Sequence, residues 1–190
     1  SSDFLSDAKK KTDRTVCEEI KYAVREYINV NMPKDPEMFM RLSERLEAIL
    51  EEYKNNWIDL RSELERFRDD IVEGRKREKT YGYEPEHEMP FFALLKKELY
   101  GDKEFSDLSE DDFNALKDLT DDVLARFKTD ASTTNFWNNA SLQDTLRTFI
   151  ITKLIGPEIK KRVPDVFKRR KEIAQRLLEL GFQHFGRGEE

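Results

Sequence analysis

The sequence is poor in the residues that build most catalytic and ligand sites. In 190 residues it has one cysteine, Cys17, two histidines, His87 and His184, and seven glycines. One cysteine forms no internal disulfide, which fits a reducing compartment, and a cytoplasmic protein is expected. Val16 and Ile20 put Cys17 on an apolar helix face, so it reads as a packing residue rather than a reactive thiol. The histidines lie far apart in the chain and offer no zinc-ligand spacing, so no metal site is expected. No glycine-rich phosphate cradle is present, and no serine stands in a nucleophile-elbow context. No apolar run approaches the roughly 20 residues that span a membrane, and no signal peptide is visible. Pro164-Asp165 has the first look of a nuclease carboxylate motif. Glu158-Ile159-Lys160 precedes it in helical sequence, so both order and scaffold are wrong for a divalent-ion site. No catalytic, cofactor-binding or metal residue is assigned.

What the chain does have is charge and helical periodicity. Charged residues make up 39% against a usual quarter, the composition of long exposed helices rather than of a compact enzyme. Phe39, Leu42, Leu46, Ile49, Tyr53, Trp57, Leu60, Leu64, Phe67 and Ile71 recur at steps of three and four, with one stutter where two fours meet around Tyr53. Asp35 and Pro36 mark a helix start and Gly74 a stop. The spacing predicts one helical strut over 36–74, roughly 58 Å long, with Trp57 in its buried stripe. Glu51, Glu52, Glu63 and Glu65 fall off that stripe and read as solvated.

A first amphipathic helix is expected over about 13–27, followed by a short extended connector at Ile28–Met32; residues 1–12 and the tail from Arg187 read as loose. Residues 75–89 read as a linker. A helix follows from Pro90 to Gly101, and another opens at Ser109 with Asp112 as a capping box. Ser141 with Asp144 opens the next, which Gly156-Pro157 closes, and a last helix follows Pro164 and stops at Gly181. With no convincing strand and no internal repeat, the fold class is all-α: a long helix at 36–74 packed on a compact bundle over 90–182, in one domain.

The net charge of −6 conceals an asymmetry. Glu98–Asp122 carries ten acids against Lys103 and Lys117, and Lys153–Arg176 carries nine bases against Glu158, Asp165 and Glu172. Either the two segments face each other or are solvated, or the basic one is set toward nucleic acid or an acidic partner. Lys160, Lys161, Arg162, Lys168, Arg169, Arg170 and Lys171 are the candidate contacts. Phe136 and Trp137, in a polar loop, either plug that loop onto the bundle or stand out as a partner anchor.

Several stretches together carry a family resemblance. They are Ile28-Asn29-Val30, the run from Asp35-Pro36 to Leu46-Glu47, Asn56-Trp57, Pro90-Phe91-Phe92-Ala93-Leu94-Leu95, and Phe136-Trp137 with the helix from Leu142 to Leu154. In order and spacing they resemble the C-terminal helical region of the R subunit of type I restriction-modification enzymes, over about 20–180. The chain begins at Ser1 rather than methionine, as an excised piece would. The resemblance implies a parent that translocates DNA with ATP and Mg2+ and cleaves it, its motor and nuclease domains lying upstream. It implies for this region a non-catalytic docking role toward the methyltransferase and specificity subunits, with DNA reached through the complex and no cofactor of its own. Direct binding of a DNA backbone by the basic 160–176 face is the alternative.

Overall fold

The computed structural model describes residues 11–186; of the segments expected to be loose, 1–10 and the tail 187–190 lie outside it, while Thr12 is described and caps the first helix. The described residues contain eight α-helices and three short 3-10 turns, with no strand. The helices fall into two compact units. One holds the residues up to Met32 together with Met38–Lys79, and the other holds Pro33–Glu37 and the residues from Thr80 onward. One of the boundaries, between Lys79 and Thr80, thus falls inside the 75–89 segment read as a linker.

In the first unit α1 spans Asp13–Asn31, and the Thr12 hydroxyl caps it by accepting the Thr15 N–H at 3.1 Å. Its buried stripe is Cys17, Ile20, Val24 and Ile28. The extended connector expected at Ile28–Met32 is therefore corrected. Ile28 takes the next position of the stripe, and burying it draws the helix on to Asn31 before the Met32–Lys34 turn.

The single strut is also corrected, because Pro36–Glu52 (α2) and Trp57–Glu73 (α3) are separate helices. They part at the stutter around Tyr53, where the Asn56 side chain accepts the Asp59 N–H at 3.1 Å and starts a new helix. A rod would lay its apolar stripe out in a line. The break lets Phe39, Leu46 and Ile49 of α2 join Leu60, Leu64, Phe67 and Ile71 of α3 in one core with the stripe of α1. Gly74 stops α3 as expected, at φ 56°. Trp57 is not in the buried stripe. It is half-buried at the first turn of α3, with the Arg14 guanidinium 5.5 Å over its ring. The helices are laced by Arg25–Glu47, Arg45–Asp70 and Arg61–Asp13 at 2.8, 2.9 and 3.0 Å. These pairs are solvated, so each contributes under about 1 kcal/mol.

The second unit is built around α4 (Met89–Tyr100), of which every residue from Met89 to Leu99 except Lys97 is buried. A helix apolar on all sides must be surrounded. α5 (Glu110–Asp130) and α8 (Val166–Phe185) pack on it, while α6 (Ala140–Leu154) and the short α7 (Pro157–Arg162) close the bundle against them. Lys96 is buried, yet its ammonium reaches the Lys103 and Gly101 carbonyls at 2.7 and 3.3 Å. The Ser109 cap is present, its hydroxyl accepting the Asp112 N–H at 3.1 Å.

Two boundaries in this unit differ from expectation. Asn139, not Ser141, opens α6, since its side chain accepts the Leu142 N–H at 3.1 Å. Gly181 is no stop: α8 runs on to Phe185. The glycine is there for space, because a Cβ at this position would lie 2.1 Å from Cε1 of Phe127. The absent side chain is what lets α8 approach the Phe127 ring of α5.

Candidate functional site

The structure sorts the basic run into two sets. One set is consumed inside the fold. Arg169 and Arg176 both close on the carboxylate of Glu98, whose side chain is only 7% exposed, so the buried charge on α4 is held from α8. Arg162 of α7 reaches Asp112 at the start of α5 at 3.2 Å, and Lys153 of α6 reaches Asp122 at 3.2 Å. The acidic and basic segments therefore do face each other. Arg162 and Arg169, taken from sequence as candidate contacts, belong to this internal set.

The other set points outward. Lys160, Lys161, Lys168 and Lys171 are exposed, and no ion pair engages them among the described residues. Near them Phe167 is 45% exposed at the start of α8. The Arg170 guanidinium lies 4.1 Å over its ring and the Lys160 ammonium 5.5 Å from its centroid. Both contacts follow from position: Arg170 is one turn along the helix from Phe167, and Lys160 comes from the short helix before the Pro164 turn. Against five cations this surface has one acid of its own, Asp165, since Glu158 and Glu172 are held by Arg162 and Arg176. Five of the seven candidate contacts are thus brought together in a patch that can attract phosphate or carboxylate.

Phe136 and Trp137 form a plug, not an anchor. Phe136 is fully buried. Trp137 stacks on Phe127 with centroids 6.5 Å apart, and its indole N–H donates to the Phe185 carbonyl at 3.1 Å. The pair pins the 131–139 loop to the end of α8, so the anchor alternative is set aside.

Cys17 is buried, with its thiol 3.5 Å from the Trp57 carbonyl, and burial pushes its pKa up. It is a packing residue beside a shallow groove lined by Lys21, Arg25, Leu50 and Trp57.

Sequence reasoning missed one convergence. His87, in the loop before α4, and His184, at the end of α8, are 97 residues apart, yet their Nδ1 atoms lie 3.0 Å from each other. Nε2 of His184 is 2.6 Å from the Lys34 carbonyl, which can only accept, so this nitrogen carries the proton. Its Nδ1 is then bare and accepts from Nδ1–H of His87. Burial pulls the His184 pKa below its ordinary value, consistent with a neutral ring. No spacing signal announces such a pair. Among the described residues no group of three or more His, Cys, Asp or Glu side chains is gathered as metal ligands would be. No helix among them is long and apolar enough to cross a membrane.

Compared with models of protein families, with curated proteins and with solved structures, the chain finds no match.

Proposed function

We propose that this chain is a helical docking and scaffold region, non-catalytic in itself, of the kind its sequence resembles in the R subunit of type I restriction-modification enzymes. Its partners on this reading are the methyltransferase and specificity subunits and the motor and nuclease domains of its own parent chain. The ATP and Mg2+ of the parent act in those other domains. The observation that carries the reading is the surface of the first unit. Tyr22, Val30, Met40, Ile58 and Val72 are 70, 65, 53, 69 and 72% exposed, and Tyr27 is 43% exposed. Among the described residues of the second, only Phe167 and Phe182 are comparably exposed. Apolar surface left uncovered by a well-formed core supports contact with another protein.

The test is capture of the fragment by purified methyltransferase core over a range of salt. Retention that survives high salt and falls in an Ile58→Ser, Val72→Ser double variant supports apolar docking. No capture by the core under any salt, with the fragment folded, overturns the assignment of that partner.

A second reading, direct contact with a DNA backbone, is favoured by the outward set Lys160, Lys161, Lys168, Arg170 and Lys171, of which Lys160 and Arg170 lie against Phe167. If these five contact phosphates, the logarithm of affinity falls with the logarithm of salt at a slope near −0.9 per phosphate neutralised. Titration with duplex DNA at two salt concentrations reads it. Glutamate at Lys168 and Lys171 abolishes binding on this reading, and unchanged binding eliminates it.

A further inference from the structure

We propose that His87 and His184 form a bidentate imidazole site for a borderline divalent transition-metal ion, Cu2+ or Ni2+ ahead of Zn2+. The proposal is independent of the docking reading. Its basis is how the four ring nitrogens are arranged. The two Nδ1 atoms converge to 3.0 Å, and each outer Nε2 faces an acceptor: the Lys34 carbonyl at 2.6 Å for His184, the Glu86 carboxylate at 3.9 Å for His87. Histidines that ligate metals use the disposition His184 shows, one nitrogen for the ion and the other held by a carbonyl or carboxylate that fixes the tautomer and raises basicity, and Glu86 lies on the corresponding side of His87.

His184 is already set, with its proton on Nε2 and its unprotonated Nδ1 facing His87. Its ring is steadied by Phe91, 5.7 Å away between centroids. His87 need only move its proton from Nδ1 to Nε2, on the side of Glu86. That shift releases no net proton and leaves two unprotonated Nδ1 atoms, which a turn of the exposed His87 ring aims at one ion.

The spacing selects the ion. Nitrogens about 2.0–2.1 Å from an ion and this close together subtend about 90–95° at it. That is the cis angle of tetragonal Cu2+ and Ni2+ complexes, narrower than tetrahedral zinc prefers. The remaining positions go to water, because no third ligand is gathered among the described residues. Mg2+ and Ca2+, which take oxygen ligands, are excluded. Access is open, since His87 is exposed and lies in a loop with Glu84 and Glu86.

The experiment is titration of untagged protein with CuCl2 and NiCl2, with ZnCl2 and MgCl2 as comparisons, followed by calorimetry and, for Cu2+, by electron paramagnetic resonance. One Cu2+ or Ni2+ per chain is expected, with weaker Zn2+ and no Mg2+ binding. Two nitrogens should appear in the copper hyperfine pattern. His87→Ala, an exposed change, should bind at least about tenfold more weakly. It should lose one nitrogen from the spectrum and keep its metal-free melting temperature. Should that substitution lower the melting temperature, the spectrum of the folded variant still decides. Undiminished affinity in His87→Ala, a wild-type spectrum without two imidazole nitrogens, or no Cu2+ or Ni2+ binding at all would overturn the site.

Discussion

The two units bury their apolar residues in different ways. In the first, three helices each turn one stripe inward, and the core is Cys17, Ile20, Val24 and Ile28 with Phe39, Leu46, Ile49, Leu60, Leu64, Phe67 and Ile71. In the second, α4 is buried on every side, and the core it helps to form holds more than twice as many buried side chains. The difference teaches that amphipathic stripes suffice for a thin layer, whereas a helix apolar all round requires a shell. It also explains where two of the buried charges sit. Glu98 and Lys96 lie on the wholly buried helix, and each is matched, Glu98 by two arginines and Lys96 by carbonyls. The first unit keeps most of its ion pairs at the surface, the buried exception being Arg75, which reaches Glu78 at 2.8 Å.

The comparison can be broken most sharply at the centre of the deeper core. Phe91→Ala, on α4, should reduce stability by about 3–5 kcal/mol in urea unfolding. A loss under about 1 kcal/mol would mean α4 is not the organising element. Gly181→Ala should follow at about 1–3 kcal/mol, because its new methyl overlaps the Phe127 ring. An unchanged or raised melting temperature would show that α5 and α8 can part at no cost.

Alkaline titration sharpens the contrast further, through two tyrosines of the second unit. Tyr83 donates to Asp121 at 2.7 Å, and burial raises its pKa. Burial, with the charge of Asp112, pushes Tyr100 up to about 12. The folded chain therefore holds protons that the unfolded chain releases above pH 10. Stability should be full below about pH 10 and fall as pH rises through about 12. Absorbance of tyrosinate near 295 nm would check it, and both tyrosines ionising near pH 10 in folded protein would refute it.

Trp57→Ala should lower stability by about 1–2 kcal/mol, less than a core aromatic, because the ring is half-buried. The smallest effect is expected from Val72→Ser, within about 0.5 kcal/mol by the same unfolding assay. A larger loss would mean that Val72 is held by the fold and is not free surface.

Much of the helical plan was legible from single residues. Gly74, Gly101 and Ser109 mark boundaries because a positive φ or a capping hydroxyl is a local requirement that one residue meets. The break between α2 and α3 was half legible. The stutter at Tyr53 lies where the helix ends, but the stripe resumes beyond it because both halves face the same core. Gly181 misled because its purpose is a close approach to Phe127, which no window of sequence contains. Within the candidate patch, periodicity could not separate Arg162 and Arg169 from their lysine neighbours, since the acids that hold them are more than forty residues away. For the same reason His87 and His184 gave no sign of meeting.

The enclosure of α4 sets an order of events during synthesis. The helices that complete the first unit have all left the ribosome once residue 73 has emerged, so its core can form early. The second unit must wait. Its most apolar helix is made by residue 100, but α8, which covers one side of it and carries both arginines for Glu98, ends only at Phe185. For some eighty-five residues of elongation α4 has a bare flank and an unmatched carboxylate. That interval is when the nascent chain is most exposed to aggregation, and a chaperone that shields the Phe91–Leu95 segment would act then.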